Sequence, residues 1–217
     1  MSFKFATAKT PDYFWVTWLT KLLAGENKCE WAIWFKVHNK FTKLDNGFEL
    51  DRWTAEHNDL VLFRMQQLSK EGYEVFVEDQ NSFQARGKSG IIVAGKPDII
   101  AIRGEEAIFE DCKTGRKRDS DHYQVLIYML LAHLPQIPNG ARKTARIVYK
   151  DSILNANLAF LPQLGDRLRD LVLRLSDAQA PEKHPLQSEC RFCDISDFYC
   201  EDRINDPGNT VYLTDEF

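Results

Sequence analysis

The sequence predicts an α/β protein, a mixed central sheet flanked by helices. Three observations point there. The first part of the chain is dense in apolar residues with helical spacing, the centre is a succession of short strand-period runs, and long helical periodicity returns near the end. At 217 residues the chain is long enough for one domain with a sizeable core. The expected division is a single domain over 1–200, with its core at about 51–178. An N-terminal helical segment (11–38) and a C-terminal cysteine segment (181–200) flank the core, and a tail (201–217) carries no pattern that can be read.

Residues 11–37 are rich in aromatics on either side of Gly25 and read as two short buried helices. Residues 51–69 have the period of an amphipathic helix, with Trp53, His57, Leu60, Val61, Met65 and Leu68 near one face. Gly72 ends it, and YEVFVED alternates as a strand. Ile99–Ile102 and Ala107–Phe109 are apolar runs separated by Gly104-Glu105, a two-residue loop whose leading glycine suits a type II′ hairpin. Arg103 then faces Glu106, and counting outward sets Asp98 opposite Asp111. Facing side chains lie roughly 5 Å apart at their β-carbons, where like charges repel, so a positive partner is expected between them. The period of two puts Lys113 on the same face as Asp111. Asp119 or Ser120 can cap a helix running to about His133, before Pro135. TARIVYK reads as a strand and ILNANLAF as a further one. Pro162 sits in the first turn of a helix ending near Ala178. Past Pro181 the chain is loop-like and holds three cysteines. No internal repeat or low-complexity segment is present.

Hydrophobic content of 44% and charged content of 28% fit an ordinary soluble globular protein. No apolar run approaches the roughly 20 residues of a membrane helix. The start, MSFKFATAKT, lacks the apolar stretch of a signal peptide, so a cytoplasmic location is expected. A net charge of −4 gives no global sign of nucleic-acid binding, but two basic clusters do so locally. One is Lys113, Arg116, Lys117 and Arg118, and the other is Arg142, Lys143, Arg146 and Lys150. Either can be a solvated face or a phosphate contact.

Two facing carboxylates beside a lysine can hold a hard divalent cation, Mg²⁺ or Mn²⁺, which binds one or two carboxylates and substrate phosphate oxygens. Such an ion polarises a phosphoryl group and activates water, while the lysine orients that water or stabilises developing charge. Gln124 and Tyr128, one turn apart on the next helix, can bond a phosphate or the lysine. The plainer alternative makes Asp98 and Asp111 strand-end residues in water and Lys113 a surface lysine.

Pro97-Asp98 followed by Asp111-Cys112-Lys113 resembles the motif of the PD-(D/E)xK nuclease superfamily that includes RecB. The stretch DCKTG is similar to the DYKTG of its RecB-like branch, and Gln124-x3-Tyr128 matches that branch's QxxxY motif. His57 occupies the place of the branch's upstream metal-binding histidine. The resemblance implies His57, Asp98 and Asp111 as metal ligands and Lys113, with Gln124 and Tyr128, in catalysis. Glu110 stands where the family usually has an apolar residue, so a one-residue bulge would make Glu110 the ligand in place of Asp111.

Cys190-x2-Cys193-x6-Cys200 is a compact cluster, and Cys29 lies far upstream. Five cysteines in such a chain argue against a disulfide framework. One distant and three C-terminal cysteines resemble the iron–sulfur nucleases, namely the CRISPR-associated adaptation nucleases and the AddB nuclease domain. There four thiolates bind a 4Fe–4S cluster that joins the chain ends. Four thiolates also suit tetrahedral Zn²⁺. Cys112 alternates away from Asp111 and is expected in the core. The resemblance thus implies a metal-dependent nuclease cutting single-stranded DNA ends as an exonuclease, with Arg116, Lys117 and Arg118 on the DNA backbone. The setting it implies is DNA repair, recombination or CRISPR adaptation, with the proteins of those processes as partners. A non-catalytic DNA-binding or assembly subunit on the same fold is the rival reading.

Overall fold

A computed structural model describes residues 6–44 and 49–205, so residues 206–217 of the expected tail lie outside the described residues. The chain runs β1 (Thr7–Ala8), β2 (Tyr13–Trp15), α1 (Val16–Leu23), α2 (Glu30–His38), β3 (Asn39–Lys40) and α3 (Leu50–Lys70). Then come β4 (Glu74–Val77), β5 (Phe83–Arg86), β6 (Ile92–Gly95), β7 (Ile99–Arg103), β8 (Glu106–Lys113) and α4 (Asp119–Leu131). The last elements are β9 (Arg142–Tyr149), β10 (Ile153–Asn155), α5 (Leu161–Ser176) and the single turn α6 (Gln187–Cys190).

The central sheet has the order β10-β9-β8-β7-β4 and is mixed. Strands β8 and β9 run parallel, joined by the crossover α4, and the other pairs are antiparallel. A three-stranded sheet, β2-β6-β5, pairs β2 parallel to β6, and β1 pairs with β3. Alternation along β8 divides the core. Ala107 and Phe109 join residues of α1, α4 and α5 on one face, while Ile108 and Cys112 join Val61, Leu68 and Tyr73 under α3 on the other. Helices therefore cover both faces, as the mixed α/β reading requires.

The hairpin has the expected register, with Arg103 opposite Glu106 and Ile99 opposite Glu110, so the next step outward sets Asp98 beside Asp111. Gly104 takes φ +58° while Glu105 keeps a negative φ, the pattern of a type II′ loop.

Four elements differ from the sequence reading. Tyr13–Trp15, expected within a helix, is a strand, and Phe83–Arg86 is a strand where none was expected; β2 pairs with the distant β6, and β5 pairs with β6 across the short connection between them. Neither Asp119 nor Ser120 caps α4. The cap position is Arg118, whose N–H donates to Asp121 at 3.1 Å, and Glu26 from the α1–α2 loop accepts from the Ser120 N–H and hydroxyl at 2.9 and 2.8 Å. The helix start is thus satisfied by tertiary contacts. The run after Asp151 is a strand only to Asn155, then a 3₁₀ turn at Leu158–Phe160 in which Asn157 accepts the Ala159 N–H. Along α3, Trp53 is exposed, whereas Arg64, on the polar side of the expected pattern, is buried.

Candidate active site

The two aspartates meet where β7 begins and β8 ends. Asp98 Oδ2 accepts the Cys112 N–H at 2.6 Å, so its carboxylate is pinned across the hairpin. Its Oδ1 lies 3.4 Å from His57 Nε2, which α3 carries to the sheet edge. Trp53 stacks on the His57 ring, with centroids 5.1 Å apart and planes at 16°. The hydrogen bond to Asp98 holds the His57 pKa above its ordinary value despite burial, and the buried Nδ1 has no hydrogen-bond partner.

Asp111 is 1% exposed, which removes the plainer reading of strand-end carboxylates in water. Its Oδ1 accepts from Gln124 Nε2 at 2.8 Å, and its Oδ2 lies 2.5 Å from Lys113 Nζ. Lys113 also donates to Gln124 Oε1 at 3.0 Å, so one carboxamide orients both charged groups. The same Nε2 lies 3.0 Å from the Tyr128 hydroxyl. Tyr128 comes this close because β6 has a glycine beneath it. A Cβ on Gly95 would lie 2.7 Å from the Tyr128 ring and 2.8 Å from Phe83.

Burial pushes the Asp111 carboxyl up to about 7; Lys113 opposes this and Asp98 adds to it. Lys113, despite its own burial, is held above its usual value by Asp111. The site is thus a largely buried cluster of two carboxylates, an ammonium and an imidazole sharing charge. A divalent cation would relieve both the mutual repulsion of the carboxylates and the protonation of Asp111, and the donor set of carboxylate oxygens and one imidazole suits it. Among the described residues, no three His, Cys, Asp or Glu side chains already converge as a metal-holding group.

Glu110 is fully buried on the opposite face of β8. Arg64 donates to both its oxygens, at 2.7 and 2.8 Å, and Arg146 lies 3.6 Å away. No bulge interrupts β8, which pairs residue for residue with β7 and β9.

The first basic cluster follows directly. Arg116 and Lys117 are exposed and Arg118 is half-buried, all on the rim of a cleft of about 900 Å³. The second cluster is no single patch. Arg146 pairs with Glu110, Lys150 with Glu56 at 2.5 Å, and Lys143 donates to the Met129 carbonyl at 3.3 Å.

Cys29, Cys190, Cys193 and Cys200 line the same cleft, all with free thiols. Burial raises the Cys200 thiol pKa, Lys183 lowers it, and Cys29 and Cys193 lie close enough to raise it further. The expected joining of the chain ends by a metal cluster is here a joining by protein contacts. Trp31 and Phe35 of α2 pack on Ile195, Lys36 pairs with Asp194 at 2.6 Å, and Glu189 accepts the Lys28 and Cys29 N–H groups at 2.8 and 3.3 Å. Cys112 is buried under α3, its thiol pKa pushed up by that burial.

Sequence reading missed two features. One is the Arg64–Glu110 pair, whose only sequence signal was an acidic residue inside an apolar strand. The other is Asp121, buried beside the site, which accepts from the Tyr149 hydroxyl at 2.7 Å and holds the start of α4.

No helix among the described residues is long and apolar enough to cross a membrane. No curated protein matches the sequence. Among 22 solved chains that match is the crystal structure of SSO0001, 16% identical, covering 92% of this chain and 90% of that one at a TM-score of 0.42. The model of the PD-(D/E)XK nuclease superfamily matches residues 21–200. The match spans both aspartates, the lysine, and the glutamine and tyrosine of α4, and the chain belongs to the PD-(D/E)XK nuclease superfamily.

Proposed function

We propose that this protein is a metal-dependent deoxyribonuclease of the RecB-like branch that shortens single-stranded DNA from its ends. The observation that carries the reading is the convergence of His57, Asp98, Asp111, Lys113, Gln124 and Tyr128, drawn from three elements and the link before β7, on one buried site. The branch assignment rests on DCKTG, on Gln124-x3-Tyr128 and on His57.

Asp98, Asp111 and His57 would hold Mg²⁺ or Mn²⁺, whose charge polarises the scissile phosphoryl group and acidifies a water. Lys113 lies beside Asp111 and is the more exposed of the two, where its ammonium can orient the attacking water and stabilise charge on the phosphate oxygens. Gln124 fixes Lys113 and Asp111 relative to each other, and Tyr128 fixes Gln124. The low dielectric of the pocket strengthens each of these interactions. Asp111 is the ligand in this scheme, because Glu110 is spent on Arg64. Arg116, Lys117 and Arg118 hold the DNA backbone.

Cys29, Cys190, Cys193 and Cys200 would bind a 4Fe–4S cluster, with Zn²⁺ the alternative. What supports this is that all four line one cleft and that Cys29 and Cys193 both raise the Cys200 thiol pKa. DNA repair, recombination or CRISPR adaptation is the setting that fits such an enzyme.

Linear and circular single strands of one sequence test the exonuclease assignment. With Mn²⁺ the linear strand should be degraded to short products while the covalently closed circle persists. Equal digestion of the circle would overturn the end dependence.

A further inference from the structure

The cleft is more positive than the protein that contains it. Seven lysines and arginines line it against two glutamates, in a chain of net charge −4. Neither glutamate is free to neutralise them. Glu26 accepts both hydrogen bonds from Ser120, and Glu189 accepts the N–H groups of Lys28 and Cys29. Lys36, Lys117 and Lys183 have carboxylate partners, whereas Lys21, Arg116 and Arg118 have no ion pair among the described residues. Partial burial, followed by the charge of Arg118, pulls the Lys21 pKa below its usual range. Cations crowded into a concavity with their counter-charges already engaged call for an anion from outside.

The lining also offers a stacking surface. Phe192, on the cysteine segment, is 68% exposed, the most exposed of the large apolar side chains among the described residues. Arg116, on the cleft lining, follows Lys113 by three residues, so the chain keeps the two backbones within about 11 Å of each other.

We propose that this cleft is the track for one unpaired nucleic-acid strand, with phosphates at Lys21, Arg116 and Arg118 and a base stacked on Phe192. A duplex supplies phosphates but hides its base faces, so the exposed aromatic selects a single strand. The cysteine segment is then a wall of the substrate channel as well as a joint between the chain ends. The inference rests on the nuclease reading for what happens at the strand's end, but the binding does not.

The test is fluorescence anisotropy of labelled oligothymidylate on anaerobically purified protein, without divalent cation so that no cutting occurs. Each phosphate contact removed, by Lys21→Ala or Arg116→Ala, should lower the steepness of the log–log salt dependence by about 0.7. Phe192→Ala should weaken the single strand roughly five- to a hundredfold and leave the duplex with oligoadenylate unchanged. Lys88→Ala, on an exposed loop away from the cleft, should match wild type. Unchanged salt dependence in both cation variants would overturn the track, even if the enzyme cuts. An equal effect of Phe192→Ala on duplex and single strand would overturn the single-strand assignment. Cleft-dependent binding by a protein that never cuts would sustain the track and overturn the nuclease reading.

Discussion

Asp98→Ala and Lys113→Ala are each expected to reduce cleavage by at least about a hundredfold while the protein stays folded. Asp98 does two things at once. One oxygen is bonded to the Cys112 N–H, which sets the carboxylate in place, and the other is left facing His57 and the site. Lys113 is the positive charge on the face it shares with Asp111, at 2.5 Å. Removing either takes away a charge positioned for phosphate chemistry, and neither is a large apolar side chain on which the core depends. Glu110→Gln is the contrasting variant. It breaks a buried bidentate pair with Arg64, which should cost about 3–5 kcal/mol and lower the melting temperature by roughly 10 °C. Its activity below that temperature should survive. Asp111→Asn should show the reverse, a lost reaction in a folded protein. Full activity in Asp98→Ala, or lost cleavage in a folded Glu110→Gln, would overturn this division between the two faces of β8.

If the four cysteines bind the proposed cluster, Cys29→Ala is expected to abolish it and, with it, much of the soluble yield and thermal stability. The bond between Glu189 and the Cys29 N–H already closes a loop of 160 residues, and closing so long a loop costs chain entropy. Trp31, Phe35 and Ile195 offset part of that cost, but the apolar cluster they form is small, so metal–thiolate bonds should supply the rest. Anaerobically purified wild type should be brown with broad visible absorption, which Zn²⁺ would not give. Cys29→Ala should be colourless and activity should fall only as the fold is lost. Cys112→Ala should keep the colour and lose stability through its cavity, since Cys112 packs under α3 and does not line the cleft. Unchanged colour and melting in Cys29→Ala would contradict the four-cysteine centre.

What was legible in the sequence was local. The hairpin register follows from a two-residue loop and a period of two, so the approach of Asp98 and Asp111 could be counted from Gly104. The helical period likewise put Gln124 and Tyr128 on one face of α4, where Gln124 donates to Asp111 and lies 3.0 Å from the Tyr128 hydroxyl. Strand β2 was not legible because its partner β6 lies far away in the chain, and β5 because its four residues are too short a run to carry a period. The cap of α4 was hidden similarly, as its partner Glu26 is 94 residues from Ser120. Clustering in sequence misled for Arg142, Lys143, Arg146 and Lys150. On a strand, neighbouring residues point to opposite faces, and all four have partners within the protein.

The site around Asp98 and Asp111 is expected to hydrolyse phosphodiester bonds with a divalent cation. End-labelled linear single-stranded DNA, incubated with purified wild type at increasing Mn²⁺, tests it most directly. No cutting is expected without the ion, saturable degradation as it is added, and none at any concentration with Asp98→Ala. Degradation that persists without divalent cation, or DNA left intact at every Mn²⁺ and Mg²⁺ concentration by folded, cluster-loaded protein, would contradict it.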